Sequence, residues 1–409
     1  MPRLAAFLLA LAAVSAAPLL AARADPPTDS AADSSAKDAP KTRAEAIAQA
    51  TGKTAGQDAS PVDPVLEEAT GLAGYVMFRE SGAPGLVLGV LHNGEGTVLG
   101  YGETAPDSKK TPDGRSLFRL NSITKAFAGE VLGSLAADGT LRLTATLEHY
   151  AGGVHVPTYT GRPITLLDLA TYSAAMPREM GDIPKDAWAR GWPTRADRWK
   201  WLPTYELPWT PGTIASYSNI GFDFLTDAMA TAAGKPYATL LADRVTHRLG
   251  MTDTTLTPDA DQCARLMTGT GLGGNGPCAD ATATEGSGGL YSTGNDMLVW
   301  LRHNLEDDTP ALALSHAIYR PRQAMPAAIG FDEAGQMGGL GLGWVMVPAS
   351  GATPMLLAKS GGGVGFMSYI AFAPGRDVGA FVIVNRADFG MFAGLIHGVN
   401  GMIASLATR

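Results

Sequence analysis

The stretch LFRLNSITKAFAGEVLGSLAADG, residues 117–139 of the 409-residue chain, decides the fold class. Its large apolar side chains recur at the spacing of a helix with one buried face, and they are Phe127, Val131, Leu132 and Leu135. Asn121 is a residue type that caps helix N-termini, and Gly139 is one that ends helices. The pattern predicts a helix that Asn121 caps and that runs through Ala136.

Ser122 and Lys125 lie three positions apart at the start of that helix. The first turn of a helix has unpaired N–H groups and the positive end of the helix dipole, and both favour the oxyanion that forms when a serine attacks a carbonyl. A serine hydroxyl is a weak nucleophile and needs a base beside it. Lysine serves as that base when burial or a second cation lowers its pKa. The pair therefore suits a nucleophile and its general base.

The spacing alone is not specific, because Ser34 and Lys37 share it. Those two residues lie in residues 25–60, a segment rich in Ala, Asp, Ser, Thr and Pro. Such a segment buries too little apolar surface to offset its chain entropy, so we expect a disordered linker there. Without further partners, the simpler interpretation of Ser122 is a helix-cap residue and that of Lys125 is a solvated lysine.

Residues 1–24 have the pattern of a cleavable secretory signal, with a basic start, a short apolar run and an Ala-Arg-Ala cleavage site. A membrane anchor is the alternative, and the interruption of the run by Pro18 disfavours it. No later stretch is expected to span a bilayer, although a loose association of the mature protein with the inner membrane is left open. The net charge of -8 argues against nucleic acid as a partner.

Two further segments provide side chains for the same chemistry. YSN at 217–219 contains Tyr217, which can relay protons if nearby lysines lower its pKa, and Asn219, whose amide both donates and accepts. KSG at 359–361 contains a second cation, Lys359, and a glycine that lets a substrate backbone approach a strand. Taken singly, the first segment indicates a turn that caps a helix and the second a glycine-rich hairpin.

In this order, and in an exported protein, the three segments resemble the Ser-x-x-Lys, Ser/Tyr-x-Asn and Lys-Ser/Thr-Gly motifs of penicillin-recognising serine enzymes. The tyrosine of the second motif is similar to that of the class C β-lactamase branch. From about Ala83 to near the C-terminus, stretches such as LGMTDTTLTPDADQCARLM and EGSGGLYSTGNDMLVWL resemble AmpH-type penicillin-binding proteins. That family comprises periplasmic D,D-carboxypeptidases and D,D-endopeptidases.

The resemblance implies a role for each motif residue. Ser122 is the acylated nucleophile, Lys125 is its general base, and Tyr217 relays a proton to the leaving amine. The backbone N–H groups of Ser122 and Gly362 form the oxyanion hole. No metal or cofactor is implied, and no His or Cys cluster has zinc-site spacing.

The same resemblance implies the substrate contacts. Asn219 holds the substrate amide, and Lys359 and Ser360 bind the carboxylate of D-Ala on the strand that includes Gly361. Ser360 stands where the family often has threonine, which keeps the hydroxyl. Tyr172 replaces a histidine of the family, and we expect the change to alter the wall of the cleft.

Cys263 and Cys278 flank a glycine-rich loop. In an exported protein a disulfide is favoured over two free thiols. AmpH-type proteins have cysteines at the same place, which agrees with a disulfide.

Segments at both ends of the ordered chain predict one sheet. A helix is expected from Pro64, with Asp63 as its cap, and residues 85–103 predict two strands joined at Asn93 and Gly94. The stretches MLLAKS, FMSYIAFAPGRD and VGAFVIVNR predict consecutive antiparallel strands, followed by a closing helix.

We therefore expect a single α/β (α+β) domain over residues 61–409 with the β-lactamase/transpeptidase-like fold, a central antiparallel sheet flanked by helices. Its α/β part spans about 61–139 and 300–409, and its mostly helical subdomain spans about 140–300.

The leading hypothesis is a serine D,D-peptidase that acts on peptidoglycan stem peptides and is acylated by β-lactam antibiotics. A class C-type β-lactamase would use the same residues and differ in how fast water clears the acyl-enzyme. An esterase on the same scaffold and a non-catalytic sensor are the remaining alternatives. A Ser-His-Asp hydrolase is disfavoured because the sequence has no G-x-S-x-G motif.

Overall fold

The computed structural model describes residues 64–181, 193–331 and 337–408. The expected signal segment, the linker with Ser34 and Lys37, and the Asp63 cap lie outside the described residues. Helix α1 begins at Pro64.

The described chain contains both helices and strands. The α-helices are α1 (Pro64–Ser81), α2 (Thr124–Ala137), α3 (Leu166–Ala170), α4 (Arg195–Trp201), α5 (Asn219–Ala233), α6 (Tyr237–Leu241), α7 (Ala260–Cys263), α8 (Gly294–Glu306), α9 (Pro310–His316) and α10 (Phe389–Leu406). The strands are β1 (Gly85–His92), β2 (Glu95–Gly102), β3 (Leu117–Arg119), β4 (Ala215–Ser216), β5 (Thr270–Gly271), β6 (Tyr291–Thr293), β7 (Arg320–Pro321), β8 (Ala328–Ile329), β9 (Gly339–Leu340), β10 (Val345–Val347), β11 (Leu356–Gly363), β12 (Phe366–Ala373), β13 (Val378–Val384) and β14 (Arg386–Ala387).

The main sheet has eight strands in the order β2-β1-β13-β12-β11-β10-β9-β7, and its neighbours are antiparallel. Strands from both ends of the described chain pair within this sheet, where Val87 of β1 lies opposite Ile383 of β13. The hairpin between β1 and β2 turns at Asn93 and Gly94, which both have positive φ, as the sequence predicts. The antiparallel sheet with flanking helices confirms the predicted fold class.

Both faces of the sheet are buried. Successive side chains of a strand point to opposite sides, so each strand contributes to two separate cores. Leu86, Leu88 and Val90 of β1 belong to a core that includes residues of α1 and α10. Val87 and Leu91 belong to a second, larger core that includes residues of α2, α5 and α8. The four apolar residues of the α2 stripe are fully buried, as expected.

Asn121 does not cap α2, so that prediction is wrong. The residue lies in a 3₁₀ turn, Asn121–Ile123, with φ of 50°, and the cap position of α2 is occupied by Ile123. Instead its Nδ2 donates to the carbonyl oxygens of Gly363 at 2.9 Å and Phe366 at 3.2 Å. The amide therefore ties the turn before α2 to the β11–β12 hairpin. Asn121 misses the cap position because the 3₁₀ turn separates it from the first residue of α2.

Strand β10 stops short on β11, since the last residue of β11 that it pairs with is Ala358. The turn Asn121–Ile123 packs against the part of β11 that follows. Gly361 permits this approach, because a Cβ there would lie 2.3 Å from the carbonyl oxygen of Leu120. Residues 359–363 and the start of α2 are thereby brought side by side.

From the sequence, no membrane-spanning stretch is expected after the signal segment. By length and composition alone, however, the 18 residues of α10 could span a membrane, with a mean hydropathy of 1.4. The expectation failed because alanine and glycine separate its larger apolar residues while no charged residue interrupts it. In the structure Leu395, Val399 and Ile403 pack into the core beneath the sheet. The helix is thus a layer of the fold.

Candidate active site

Four segments converge on one point between the sheet and the helices. Ser122 lies in the turn before α2, Lys125 on the first turn of α2, Tyr217 just before α5, and Lys359 on β11. The pair Ser122 and Lys125 is far from Tyr217 and Lys359 in the sequence, and the part of β11 that β10 leaves unpaired brings them together. The predicted motif residues therefore occupy one site.

Lys125 lies beside the serine. Its Nζ is 3.0 Å from the Oγ of Ser122, and it also donates to the carbonyl oxygen of Ser287. The side chain is fully buried. Burial, aided by the positive charge of Lys359, lowers the pKa of Lys125 against the opposing effect of Tyr217. The lysine is thus suited to take the hydroxyl proton.

Tyr217 lies between the two lysines. The Nζ of Lys125 is 5.0 Å and the Nζ of Lys359 is 5.3 Å from its ring centroid. Ser122 and Lys125 are the hydrogen-bonding groups that act on its phenol. Burial raises the pKa of Tyr217, but the charges of Lys125 and Lys359 and these hydrogen bonds outweigh it, so the pKa of the phenol is lowered. The phenol can therefore exchange protons at this site.

Ser218 explains why Tyr217 and Asn219 have fixed positions. Its Oγ accepts from the N–H of Gly221 at 2.9 Å and caps α5. Its hydroxyl also donates to the carbonyl oxygen of Pro177 at 2.6 Å. The middle residue of the YSN segment therefore anchors the two outer ones.

Asn219 lies beside the site, and its side-chain oxygen is unpaired among the described residues. Its Nδ2 donates to the carboxylate of Glu179, and its backbone N–H donates to the carbonyl of Arg178 at 2.8 Å. Its Oδ1 is buried and has no hydrogen-bond partner among the described residues. A substrate amide N–H would satisfy that oxygen.

The KSG segment faces the same point from the sheet. Lys359 is fully buried, and its Nζ donates to the carbonyl oxygen of Ser360 at 3.0 Å. A Cβ on Gly361 would lie 3.1 Å from the backbone nitrogen of Ser122, which places this strand next to the nucleophile. Gly362 follows on the same strand.

Tyr172 packs against Tyr217 and is almost completely buried. It is 1% exposed, and its ring stacks on that of Tyr217 with centroids 5.1 Å apart. The residue has φ of 57°, which turns the chain sharply after α3. That backbone conformation is uncommon for a tyrosine and is not visible in the sequence pattern.

The sequence did not single out three further groups near the site. Asp223 and Ser287 lie behind Lys125, and the guanidinium of Arg178 lies 4.8 Å from the centroid of the Tyr217 ring. Asp223 follows the YSN segment by one helical turn, and this spacing was the available signal. Ser287 gave no such signal in the sequence, because it lies in a loop and not on a helix or strand.

Cys263 and Cys278 form a disulfide. The loop between them touches the β11–β12 hairpin, since the N–H of Gly365 donates to the carbonyl of Leu272 at 2.9 Å. The N–H of Thr270 donates back to the carbonyl of Gly365 at 3.2 Å. The disulfide loop therefore supports the turn that Asn121 also holds.

The geometry suits covalent catalysis by a serine. A buried lysine beside the hydroxyl, a phenol with a lowered pKa and a second buried lysine form a proton-transfer network around Ser122. Attack on a carbonyl would place an oxyanion near the backbone of Ser122 in the turn before α2. Acyl transfer is the chemistry that this arrangement favours.

Comparison with known proteins supports the same conclusion. A profile of the family described as beta-lactamase matches residues 59–396. The chain is 41% identical over 337 residues to the D-alanyl-D-alanine-carboxypeptidase/endopeptidase AmpH of Escherichia coli K12, covering 81% of this chain and 87% of that protein. It is 23% identical to a beta-lactamase of Pseudomonas fluorescens, covering 76% of this chain and 90% of the relative.

A solved structure has the same fold. The crystal structure of a beta-lactamase/D-alanine carboxypeptidase from Yersinia pestis, complexed with citrate, superposes with a TM-score of 0.77. The two chains are 39% identical, and the match covers 84% of this chain and 99% of that one. These findings confirm the resemblance that the motifs indicated.

Proposed function

The chain belongs to the beta-lactamase family of serine hydrolases, and from that premise we propose that it is a D,D-peptidase acting on peptidoglycan stem peptides. The observation that supports this most is the 41% identity, over 337 residues, to a relative named as a D-alanyl-D-alanine carboxypeptidase and endopeptidase. The network of Ser122 with the buried Lys125 and Tyr217 supplies the chemistry that such a reaction needs.

In the proposed reaction the Oγ of Ser122 attacks the carbonyl carbon of the penultimate D-Ala. Lys125 takes the hydroxyl proton, and the N–H groups of Ser122 and Gly362 bind the oxyanion. The carbon–nitrogen bond then breaks, and Tyr217 delivers a proton to the leaving amine. Water attacks the resulting ester by the reverse proton path, which releases the acid and restores the serine.

The remaining motif residues hold the substrate. Asn219 accepts the substrate amide at its unpaired Oδ1, and the strand 359–363 aligns the peptide backbone. Lys359 and Ser360 attract the terminal carboxylate. The buried position of Lys359 beside the ring of Tyr217 gives it a second role, which is to keep the phenol acidic.

The enzyme is proposed to work in the periplasm. Its substrates lie there, and the N-terminal signal pattern predicts export. We further propose that residues 61–409 form one catalytic domain with a mostly helical subdomain at about 140–300. A loose contact of the mature protein with the inner membrane belongs to the same proposal.

Replacement of Ser122 tests the assignment. Purified Ser122→Ala should release no D-Ala from muropeptides in a mass-spectrometric assay and should not be labelled by a fluorescent penicillin. Ser108→Ala, which changes a serine in the surface loop 103–110, is the matched control and should behave like wild type. Covalent labelling that persists in Ser122→Ala would contradict the assignment of Ser122 as the nucleophile.

A β-lactamase is the second candidate, because the related Yersinia pestis structure is described as a beta-lactamase/D-alanine carboxypeptidase. Both activities begin with the same acylation and differ in the rate of deacylation. Rapid multiple turnover of a chromogenic cephalosporin would favour the β-lactamase. A stoichiometric burst followed by slow release would favour the peptidase.

A further inference from the structure

A buried carboxylate lies behind the general base. Asp223 on α5 is 2% exposed, and its Oδ2 accepts from the hydroxyl of Ser287 at 3.1 Å. Its Oδ1 accepts from the N–H of Gly286 at 3.3 Å. Both donors belong to the loop that precedes β6, so one carboxylate fixes two consecutive residues of that loop.

The same loop touches Lys125 directly. The carbonyl oxygen of Ser287 accepts a hydrogen bond from the Nζ of Lys125, and the same Nζ is 3.0 Å from the Oγ of Ser122. Asp223, Ser287, Lys125 and Ser122 therefore form a continuous chain of contacts, in which the first three residues are buried and Ser122 is partly exposed. The reaction proposed above does not use its first two members.

Close packing keeps the loop in place. A Cβ on Gly286 would lie 2.2 Å from the carbonyl oxygen of Phe222 on α5, so the loop lies directly on that helix. Three residues after Ser287, the N–H of Leu290 donates to the hydroxyl of Thr124 at 3.2 Å, which ties the loop to α2. The loop thus bridges the two helices that contribute Lys125 and Asp223.

We propose that Asp223 is a positioning residue for Lys125 and acts through Ser287. A neutral lysine has two N–H groups and one lone pair on Nζ. When the Ser287 carbonyl holds one N–H, rotation of the amine is restricted and its lone pair can point at the hydroxyl of Ser122. Asp223 fixes the carbonyl by holding the hydroxyl and the preceding N–H. This inference rests on the proposed role of Ser122 and Lys125.

The charges around Asp223 give the proposal a pH signature. Asp223 faces Arg198 of α4, Asp227 of its own helix, Lys125 of α2 and Glu285 of the loop. Burial raises the pKa of Asp223 to about 7 despite the attraction of Arg198. Its negative charge in turn raises the pKa of Lys125, which also faces Tyr217 and Lys359.

The test is the pH dependence of Ser122 labelling by a fluorescent penicillin in full-length Asp223→Asn. We expect the second-order labelling rate to fall on the order of tenfold, because the base is less well oriented. We also expect the acid limb of the profile to move to lower pH, by up to about one unit, because the lysine loses a nearby anion. Ser287→Ala should move the limb in the same direction by a smaller amount.

Asp296→Asn is the matched control. Asp296, at the start of α8, is also a buried carboxylate whose pKa is raised by burial. Its hydrogen-bond donors are the hydroxyl of Thr254 and the N–H of Asp253, which are not part of the Lys125 network. Its profile should match wild type. Slower labelling in Asp223→Asn with an unmoved acid limb would show a merely structural role and overturn the proposal.

The outcomes separate this inference from the proposed function. If wild type is not labelled at Ser122, the proposed function fails. If wild type is labelled and Asp223→Asn keeps the wild-type rate and limb, the positioning role fails. If Asp223→Asn does not fold by circular dichroism, Ser287→Ala decides, and a wild-type profile in that variant would reject the proposal.

Discussion

Tyr172 stacks on Tyr217 with ring centroids 5.1 Å apart and planes 22° apart. Phe222 and Phe331 enclose Tyr172 with centroids at 5.0 and 5.1 Å. The phenol proposed to relay protons therefore rests on a packed aromatic floor. Such a floor fixes the ring of Tyr217 between the two lysines, which is the geometry that lowers its pKa.

Removal of this floor should slow acylation. We expect Tyr172→Leu to reduce the labelling rate of Ser122 on the order of tenfold, since Tyr217 gains freedom to rotate away from Lys125. Tyr172→Phe keeps the ring and loses a contact of 3.4 Å between its hydroxyl and the carbonyl of Gly343, so it should stay near the wild-type rate. Equal rates in the two variants would contradict the role of stacking.

Lys359→Met should shift the pH profile in the direction opposite to Asp223→Asn. The ammonium of Lys359 lowers the pKa of both Tyr217 and Lys125, so its loss raises both. Bases with higher pKa values lose their protons at higher pH, and the acid limb of the labelling rate should move up. We expect a loss of roughly a hundredfold at neutral pH.

Lys359→Arg is the companion variant, because it keeps the positive charge. Its acid limb should stay close to that of wild type even where the larger side chain lowers the rate. If Lys359→Met leaves the limb in place, Lys359 serves the substrate carboxylate and not the phenol.

The sequence predicted the parts of the site that local chemistry determines. The three motif segments and the β1–β2 hairpin were recognised because their residue types are characteristic of a local chemistry or a local conformation. Asn121 was misassigned, since only the folded chain shows that a 3₁₀ turn separates it from α2 and that its amide donates to the carbonyls of Gly363 and Phe366. Short strands such as β7 and β9 have two residues each and offer no periodicity to detect.

The positions of Tyr172 and Asp223 could not be predicted for a different reason. Each acts through a contact between segments that are far apart in the chain. Asp223 meets Ser287 across a sequence separation of 64 residues, and the sequence alone does not report which loop packs on which helix. Tertiary packing, and not local propensity, sets this layer of the site.

The disulfide should stabilise both the fold and the site. Cys263 and Cys278 are 15 positions apart, and closing a loop of that length contributes about 3 kcal/mol to the free energy of unfolding on the chain-entropy model. The double variant Cys263→Ser/Cys278→Ser should therefore have a lower Tm, measured by calorimetry. Its labelling rate should also fall, because the loop supports the turn at Gly365.

A reducing agent provides the control for this prediction. Reduced wild type should approach the double variant in Tm and rate, whereas the double variant should not respond. A double variant with the wild-type Tm would show that close packing of residues 269–276 on the hairpin is sufficient without the covalent bond.

The buried ion pair of Arg198 and Asp227 should be sensitive to substitution. Both side chains are 1% exposed, and the carboxylate accepts from the Nε of Arg198 at 2.7 Å and from the indole of Trp199 at 2.8 Å. Asp227→Asn leaves the guanidinium buried without its counter-charge. We expect the free energy of unfolding to fall by about 3–5 kcal/mol, measured by urea denaturation.

Asp243→Asn is the matched surface variant. It removes the pair between Lys235 and Asp243, whose side chains are 54% and 45% exposed, and should change the free energy of unfolding by less than about 1 kcal/mol. Arg198 also donates to the carbonyl of Ala283 at 3.1 Å, at the start of the loop that contains Ser287. Asp227→Asn should therefore slow labelling as well as destabilise the fold, because the loop that orients Lys125 loses its anchor. A variant that is destabilised but labelled at the wild-type rate would separate the ion pair from the positioning of the base.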